Sequence, residues 1–195
     1  MSASLALNIF HRLLDQVAEL EAVATRMEAD AQDTSAPILR RSGYVLAVAA
    51  LDSYFHERGI ELAAAHAKIG PVEAGVVANY IKSVSAADVS GKQGESYIRL
   101  RISFKTLASP SAIDSLLTAV GKDADAVWLS VAFSLNNRPD RLRRLSDLIY
   151  DRRNQIAHEA DWDVARLDFR PMERANLSDC VEHIRSLVEV FDSVL

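Results

Sequence analysis

The residues best suited to chemistry lie together near the C-terminal third of the chain, in the stretch 152–159 (RRNQIAHE). A helix turning about 100° per residue places Asn154 and His158 on one face, almost directly opposite Ile156. Arg153 lies on the flank of that face. The imidazole exchanges protons near neutral pH, and a guanidinium group matches phosphate with two parallel hydrogen bonds. The stretch therefore combines an acid–base group, an amide and cations within two helical turns.

A purely structural interpretation of this face stays open. Helix faces rich in arginine and aspartate usually meet only solvent, and a histidine at a helix end interacts favourably with the helix dipole. Other chemistry has less support, because the chain has no HExxH motif, zinc-finger spacing, EF-hand loop or GxSxG elbow. Cys180, the single cysteine, stands outside any sequence context typical of a nucleophile. Residues 152–159 are thus the strongest candidates for a functional site.

The same stretch resembles a known family. Arg153 is followed directly by the polar Asn154 and, after four intervening residues, by His158, as in the Arg-x4–6-His signature of HEPN domains. The surrounding residues 151–161 (DRRNQIAHEAD) are similar to the branch known as RiboL-PSP-HEPN. The resemblance implies a helical fold, homodimerisation and often a metal-independent endoribonuclease activity, as in toxins and defence proteins. It further implies RNA as the substrate, no metal or cofactor, and a cognate antitoxin as a candidate partner.

In such a cleavage the 2′-OH beside the scissile phosphate is the nucleophile, and the protein supplies a base, an acid and cations. The predicted catalytic residues are His158 as acid or base, Arg153 as transition-state stabiliser and Asn154 as an orienting group. Arg152 is a predicted substrate-binding residue. One histidine per chain does not provide both acid and base, but a two-fold dimer would bring two motifs together. The alternative is a catalytically inactive HEPN-like dimer that binds a protein or a nucleotide.

Asp52 is the polar exception in the most apolar part of the chain, and a carboxylate there needs a cationic or hydrogen-bonding partner. One interpretation pairs it with His56, one helical turn later, or leaves it at a wet edge. The other pairs it with an arginine of the motif helix and makes it a supporting residue of the site. The sequence leaves both open.

Composition limits the class of protein. With 195 residues, 49% of them hydrophobic, the chain can bury one full core, so we expect a single domain over residues 1–195. The resemblance implies that this domain is HEPN-like. The single cysteine fits a reducing cytoplasm. The longest apolar run, 44–51, is far shorter than the roughly 20 residues of a membrane span. A net charge of −5 argues against a generally basic nucleic-acid binder, so any RNA contact must come from a local patch.

Hydrophobic periodicity predicts an all-α, single-domain bundle of about six to seven helices. The predicted helices cover approximately residues 4–29, 38–68, 72–84, 109–121, 123–135 and 139–158, and a last helix begins near residue 176. Segment 97–107 is ambiguous, because its apolar residues alternate as in a strand although no partner strand is evident. We expect a flexible loop at 88–95. Segment 159–174 has the pattern of a loop that Trp162 and Phe169 pin to the core.

Overall fold

The computed structural model describes residues 4–29, 34–82 and 84–195. In chain order its helices are α1 (Leu5–Glu28), α2 (Ala36–Ala67), α3 (Pro71–Ile81), α4 (Ala86–Ser90), α5 (Gly94–Ile102), α6 (Pro110–Ala119), α7 (Ala124–Ser134), α8 (Pro139–Glu159) and α9 (Arg174–Val194). Between α8 and α9, strands β1 (Trp162–Asp163) and β2 (Asp168–Phe169) form an antiparallel hairpin. The predicted all-α class is confirmed. Nine helices in the described residues exceed the predicted six to seven.

Several helices begin where the side-chain chemistry favours a start. The hydroxyl oxygens of Ser4 and Ser109 accept hydrogen bonds from backbone amides of the first turns of α1 and α6, and Asp123 does the same for α7. Proline occupies the first turn of α2, α3, α6 and α8, where its missing amide hydrogen costs nothing. These local signals explain why the helix starts could be read from the sequence.

Helix α2 is the central element and packs against α1, α9, α5, α3 and α8. Aromatic rings from four helices cross the core in edge-to-face or near edge-to-face contact, in the order Phe10, Tyr54, Phe55, Phe191 and Trp128. Their centroids are 5.0–6.2 Å apart, the range in which the ring quadrupoles attract. This chain of rings links α1, α2, α9 and α7 into one core.

The start of α2 is fastened to α1 by a buried charge. Arg40 is almost fully buried, and its Nε lies 3.1 Å from Glu21 Oε2 while its Nη2 lies 2.6 Å from Glu28 Oε2. These carboxylates raise the pKa of Arg40 and keep it charged. The first turns of α2, which border the candidate site described below, therefore have a fixed position.

Two segments differ from their predicted structure. The expected loop at 88–95 is interrupted by the end of α4, and α5 begins at Gly94. A Cβ at Gly94 would lie 1.9 Å from the Val89 carbonyl oxygen, so only glycine permits this close approach. In the ambiguous segment 97–107, residues up to Ile102 belong to α5 and the extended alternative is wrong. Ile98 and Ile102 are buried one turn apart, which satisfies a helix as well as a strand.

Candidate active site at the end of helix 8

A buried carboxylate holds the end of α8 in place. Asp161 is 0% exposed, and its Oδ2 accepts a hydrogen bond from Arg41 Nε of α2 at 2.7 Å. Arg152 of α8 pairs with the same carboxylate through Nη1 to Oδ1 at 2.7 Å and Nη2 to Oδ2 at 3.0 Å. Both arginines are mostly buried. This Asp161 cluster, consisting of Asp161, Arg41 and Arg152, ties α2 to α8 through charge-assisted hydrogen bonds.

The Asp161 cluster also fixes the hairpin. Arg41 Nη2 donates to the carbonyl oxygen of Arg170 at 2.6 Å, and Arg152 Nη2 donates to that of Pro171 at 3.1 Å. The Arg170 amide donates to the Asp161 carbonyl oxygen at 2.9 Å. The segment after the hairpin is therefore bound to the same three residues that hold the motif helix.

Helix α8 ends through left-handed backbone rather than through glycine. Ala160 has φ +51° and Asp161 has φ +63°. The Asp161 amide donates to the carbonyl oxygen of Gln155 at 3.1 Å, which satisfies one of the free acceptors at the helix end. This reversal of the chain directly after Glu159 turns the Asp161 side chain inward.

Arg153, Asn154 and His158 lie on the last two turns of α8. Arg153 Nη1 donates to Asn154 Oδ1 at 2.9 Å, so these two predicted catalytic residues are in contact. Arg153 Nε is buried and has no hydrogen-bond partner in the described residues. His158 follows Asn154 by one turn on the same face and is exposed. The arrangement offers a substrate an unhindered imidazole, a free amide nitrogen and an incompletely paired guanidinium.

Arg152, the predicted substrate-binding residue, has a different environment. Both of its terminal nitrogens contact the Asp161 carboxylate, and one of them also contacts the Pro171 carbonyl oxygen. Its guanidinium therefore belongs to the frame of the site. Contact between Arg152 and a phosphate stays a prediction.

Asp52 lies in a different part of the molecule from the motif. Its Oδ2 is 3.7 Å from His56 Nδ1, and its Oδ1 accepts a hydrogen bond from the Leu107 amide. The sequence-based alternative that pairs Asp52 with His56 is thus confirmed. On α8, Arg152 pairs with Asp161 instead. Asp52 fastens the segment after α5 to α2.

The expectation that Trp162 and Phe169 pin segment 159–174 to the core is wrong. The two rings face each other across the hairpin, with centroids 5.2 Å apart, and they are 39% and 51% exposed. Asp161 and Met172 are the buried residues of this segment. Sequence reasoning missed Asp161, although it is the last residue of the stretch that carries the family resemblance.

A large groove lies between the hairpin, the start of α2 and the end of α8. Its volume is about 1010 Å³. We call it the hairpin groove, and its lining comprises Thr34, Pro37, Ile38, Arg41, Ser42, Val45, Leu46, Ile156, Ala157, Ala160, Asp168, Phe169, Arg170, Pro171 and Met172. Most of these side chains are apolar, and two are cationic. Ala157 follows Arg153 by one helical turn, so the groove reaches the flank of the motif.

The first half of α8 carries further charges. Arg143 pairs with Asp114 and Asp125 and stacks on Trp128, with its Cζ 5.3 Å from the ring centroid. Burial raises the pKa of Asp147, and the neighbouring Asp151 and Asp114 raise it further. Structural partners and nearby carboxylates thus reduce the positive charge on this half of the helix.

Fold and site together define an all-α protein with a polar helix end beside a large groove. No helix in residues 4–29, 34–82 or 84–195 is long and apolar enough to cross a membrane. Across the same residues, no group of three or more histidine, cysteine, aspartate or glutamate side chains is arranged to hold a metal ion. Comparison with known proteins found no matching family model, curated protein or solved structure.

Proposed function

We propose that this chain is a HEPN-like, metal-independent endoribonuclease of toxin or defence type that acts in the cytoplasm as a homodimer. The observation that supports the proposal most is the contact between Arg153 and Asn154 beside an exposed His158, on a helix end held by the Asp161 cluster. A cation, an amide and an acid–base group are thereby available to one substrate. A cognate antitoxin would keep such an enzyme inactive in its host.

In the proposed reaction the 2′-oxygen of the RNA attacks the adjacent phosphorus, and the bond to the 5′-oxygen breaks. A base takes the 2′-hydroxyl proton and an acid delivers a proton to the leaving oxygen, so the products are a 2′,3′-cyclic phosphate and a 5′-hydroxyl. His158 serves as one of these groups, and His158 of the second copy in a dimer serves as the other. Arg153 stabilises the negative charge that develops on the phosphorane.

Asn154 is proposed to act through its amide nitrogen. Its Oδ1 already accepts from Arg153, which leaves Nδ2 free to donate to the substrate or to the His158 ring. The pair also restricts the Arg153 guanidinium before substrate binds, which lowers the entropy lost on binding. DNA is spared because it lacks the 2′-hydroxyl.

The test is cleavage of a mixed single-stranded RNA by the purified protein in excess EDTA. We expect wild type to leave 2′,3′-cyclic phosphate ends and His158→Ala to cleave about 10²- to 10⁴-fold more slowly. His11→Ala is the matched control, because His11 is a partly exposed histidine on α1, 3.8 Å from Glu189 and beside the Phe10 ring, away from the motif. Equal cleavage by wild type and His158→Ala would refute the assignment of His158.

A second candidate function is a catalytically inactive dimeric module that binds a protein or nucleotide. The size of the hairpin groove favours it, since about 1010 Å³ is at the upper end of the range for ligand pockets. This module would bind its ligand without cleaving RNA under any of the conditions above.

A further inference from the structure

The hairpin groove has the features of a binding site for a nucleic-acid base. We infer that it holds a base of single-stranded RNA, next to the phosphate that Arg153 contacts. This inference rests on the proposed function and adds the substrate class, an unpaired strand, and a residue that recognises it, Phe169.

Phe169 offers a rigid aromatic surface in the groove. It is 51% exposed, whereas the Cζ of Arg41 lies 5.2 Å from its ring centroid and Trp162 packs against it at 89°. Arg41 is itself held by Asp161 and by the Arg170 carbonyl oxygen. The ring is therefore fixed in place before any ligand arrives. Exposed aromatic rings next to guanidinium groups are the surfaces on which unpaired bases stack.

The geometry of α8 gives the strand a path to the motif. Ala157 lines the groove, and Arg153 precedes it by one turn on the same side of the helix. Asn154 and His158 lie further round the same two turns. A base in the groove would thus place its phosphate near Arg153, whose Nε is buried without a partner.

Charge favours a nucleic acid over an apolar protein segment as the occupant. Arg41 and Arg152 share a single buried carboxylate, so the Asp161 cluster carries one excess positive charge in a region of low dielectric. Arg170 adds a further cation to the lining, and Glu159 at 3.6 Å and the exposed Asp168 offset both it and the excess of the cluster. The cation left for a phosphodiester is therefore Arg153, whose side chain contacts the neutral Asn154 amide and forms no ion pair with a carboxylate in the described residues. Only an unpaired strand can turn a base into the groove.

The test uses a single-stranded RNA that contains one 2-aminopurine, because stacking quenches the fluorescence of this base. Binding to His158→Ala protein is measured first, so that cleavage does not interfere. We expect quenching on binding and a Kd about 5- to 150-fold higher in His158→Ala/Phe169→Leu, since stacking is lost. Phe169→Trp should restore both quenching and affinity to within about threefold.

The matched control is Phe133→Leu in the same background, because Phe133 is an 86% exposed aromatic residue on α7 outside the groove. It should bind like its parent. Circular dichroism in urea verifies that each variant is folded. Unchanged affinity in Phe169→Leu would overturn the inference, and so would equally tight binding of the RNA annealed to its complement. Absence of binding would overturn it as well and would favour a protein segment as the occupant.

The outcomes separate this inference from the proposed function. RNA cleavage by otherwise wild-type protein that is unaffected by Phe169→Leu would leave the nuclease standing and reject the base site. Aromatic-dependent binding without cleavage by wild type would keep the base site and reject the nuclease. If the protein neither binds nor cleaves the RNA, both the base site and the nuclease are rejected.

Discussion

Replacing Asp161 with asparagine removes the charge on which the candidate site depends. Asparagine keeps the size of the side chain and one acceptor oxygen, and like aspartate it tolerates a left-handed backbone such as the φ of +63° at this position. The substitution therefore introduces little backbone strain. What changes is electrostatic, because Arg41 and Arg152 lose the carboxylate that they share.

The structure sets the size of the effect. Removing one partner of a buried ion pair costs about 3–5 kcal/mol, because the remaining charge is buried without compensation. Here two arginines remain, but each keeps a backbone carbonyl acceptor and a small contact with solvent. We therefore expect Asp161→Asn to lower the free energy of unfolding by about 3 kcal/mol, a large share of the roughly 5–15 kcal/mol typical of a folded protein.

Urea unfolding followed by far-ultraviolet circular dichroism measures this change. Asp140→Asn is the control, because Asp140 pairs with Arg138 at 2.9 Å in the open and should contribute at most about 1 kcal/mol. Combining Asp161→Asn with Arg41→Met should cost at least about 1 kcal/mol less than the sum of the single substitutions, since the two residues interact directly. A loss from Asp161→Asn no larger than that from Asp140→Asn would refute the structural role of the Asp161 cluster.

Two further predictions concern acid stability and the end of α8. Burial lowers the pKa of His183, which contacts Ser146 at 2.9 Å, to about 4. The unfolded chain thus binds more protons between pH 6.5 and 4, and the free energy of unfolding should fall by about 3 kcal/mol as the pH drops through that window. His183→Gln should lose this slope in urea titrations at several pH values. A slope that is preserved in His183→Gln, or abolished in His158→Gln, would contradict the assignment of the slope to His183. Ala160→Gly should raise the free energy of unfolding by about 0.5–1 kcal/mol, because glycine relieves the left-handed strain at φ +51°. Ala157→Gly, inside the helix, should lower it by about 1 kcal/mol, and a loss in both variants would disprove the strain at Ala160.

The long helices could be read from the sequence because their apolar spacing and their first residues agree. Segment 97–107 could not, since burial of Ile98 and Ile102 fits both an alternating strand and one turn of helix. Leu100 and Phe104, the other members of the apparent alternation, are exposed. A period of two thus appeared only because an exposed position of α5, Leu100, and an exposed position just after it, Phe104, happen to be apolar.

The candidate site was only partly predictable for a related reason. The proximity of Arg153, Asn154 and His158 follows from helix geometry alone. Burial of Asp161 depends on Arg41, which is 120 positions away along the chain. No local sequence pattern therefore predicts it. One sequence-based alternative made Asp52 of α2 the supporting carboxylate. In the structure α2 contributes the cation Arg41 instead, and the carboxylate is Asp161, which follows α8.

The two tryptophans of the chain lie in environments that let fluorescence distinguish local opening from global unfolding. Trp128 is fully buried against Phe191, and Trp162 is partly exposed on the hairpin. Emission from Trp128 therefore reports loss of the whole core, whereas emission from Trp162 reports events at the groove. With Trp128 replaced by phenylalanine, stopped-flow fluorescence would time local opening of the hairpin separately from global unfolding, using a probe that the chain already contains.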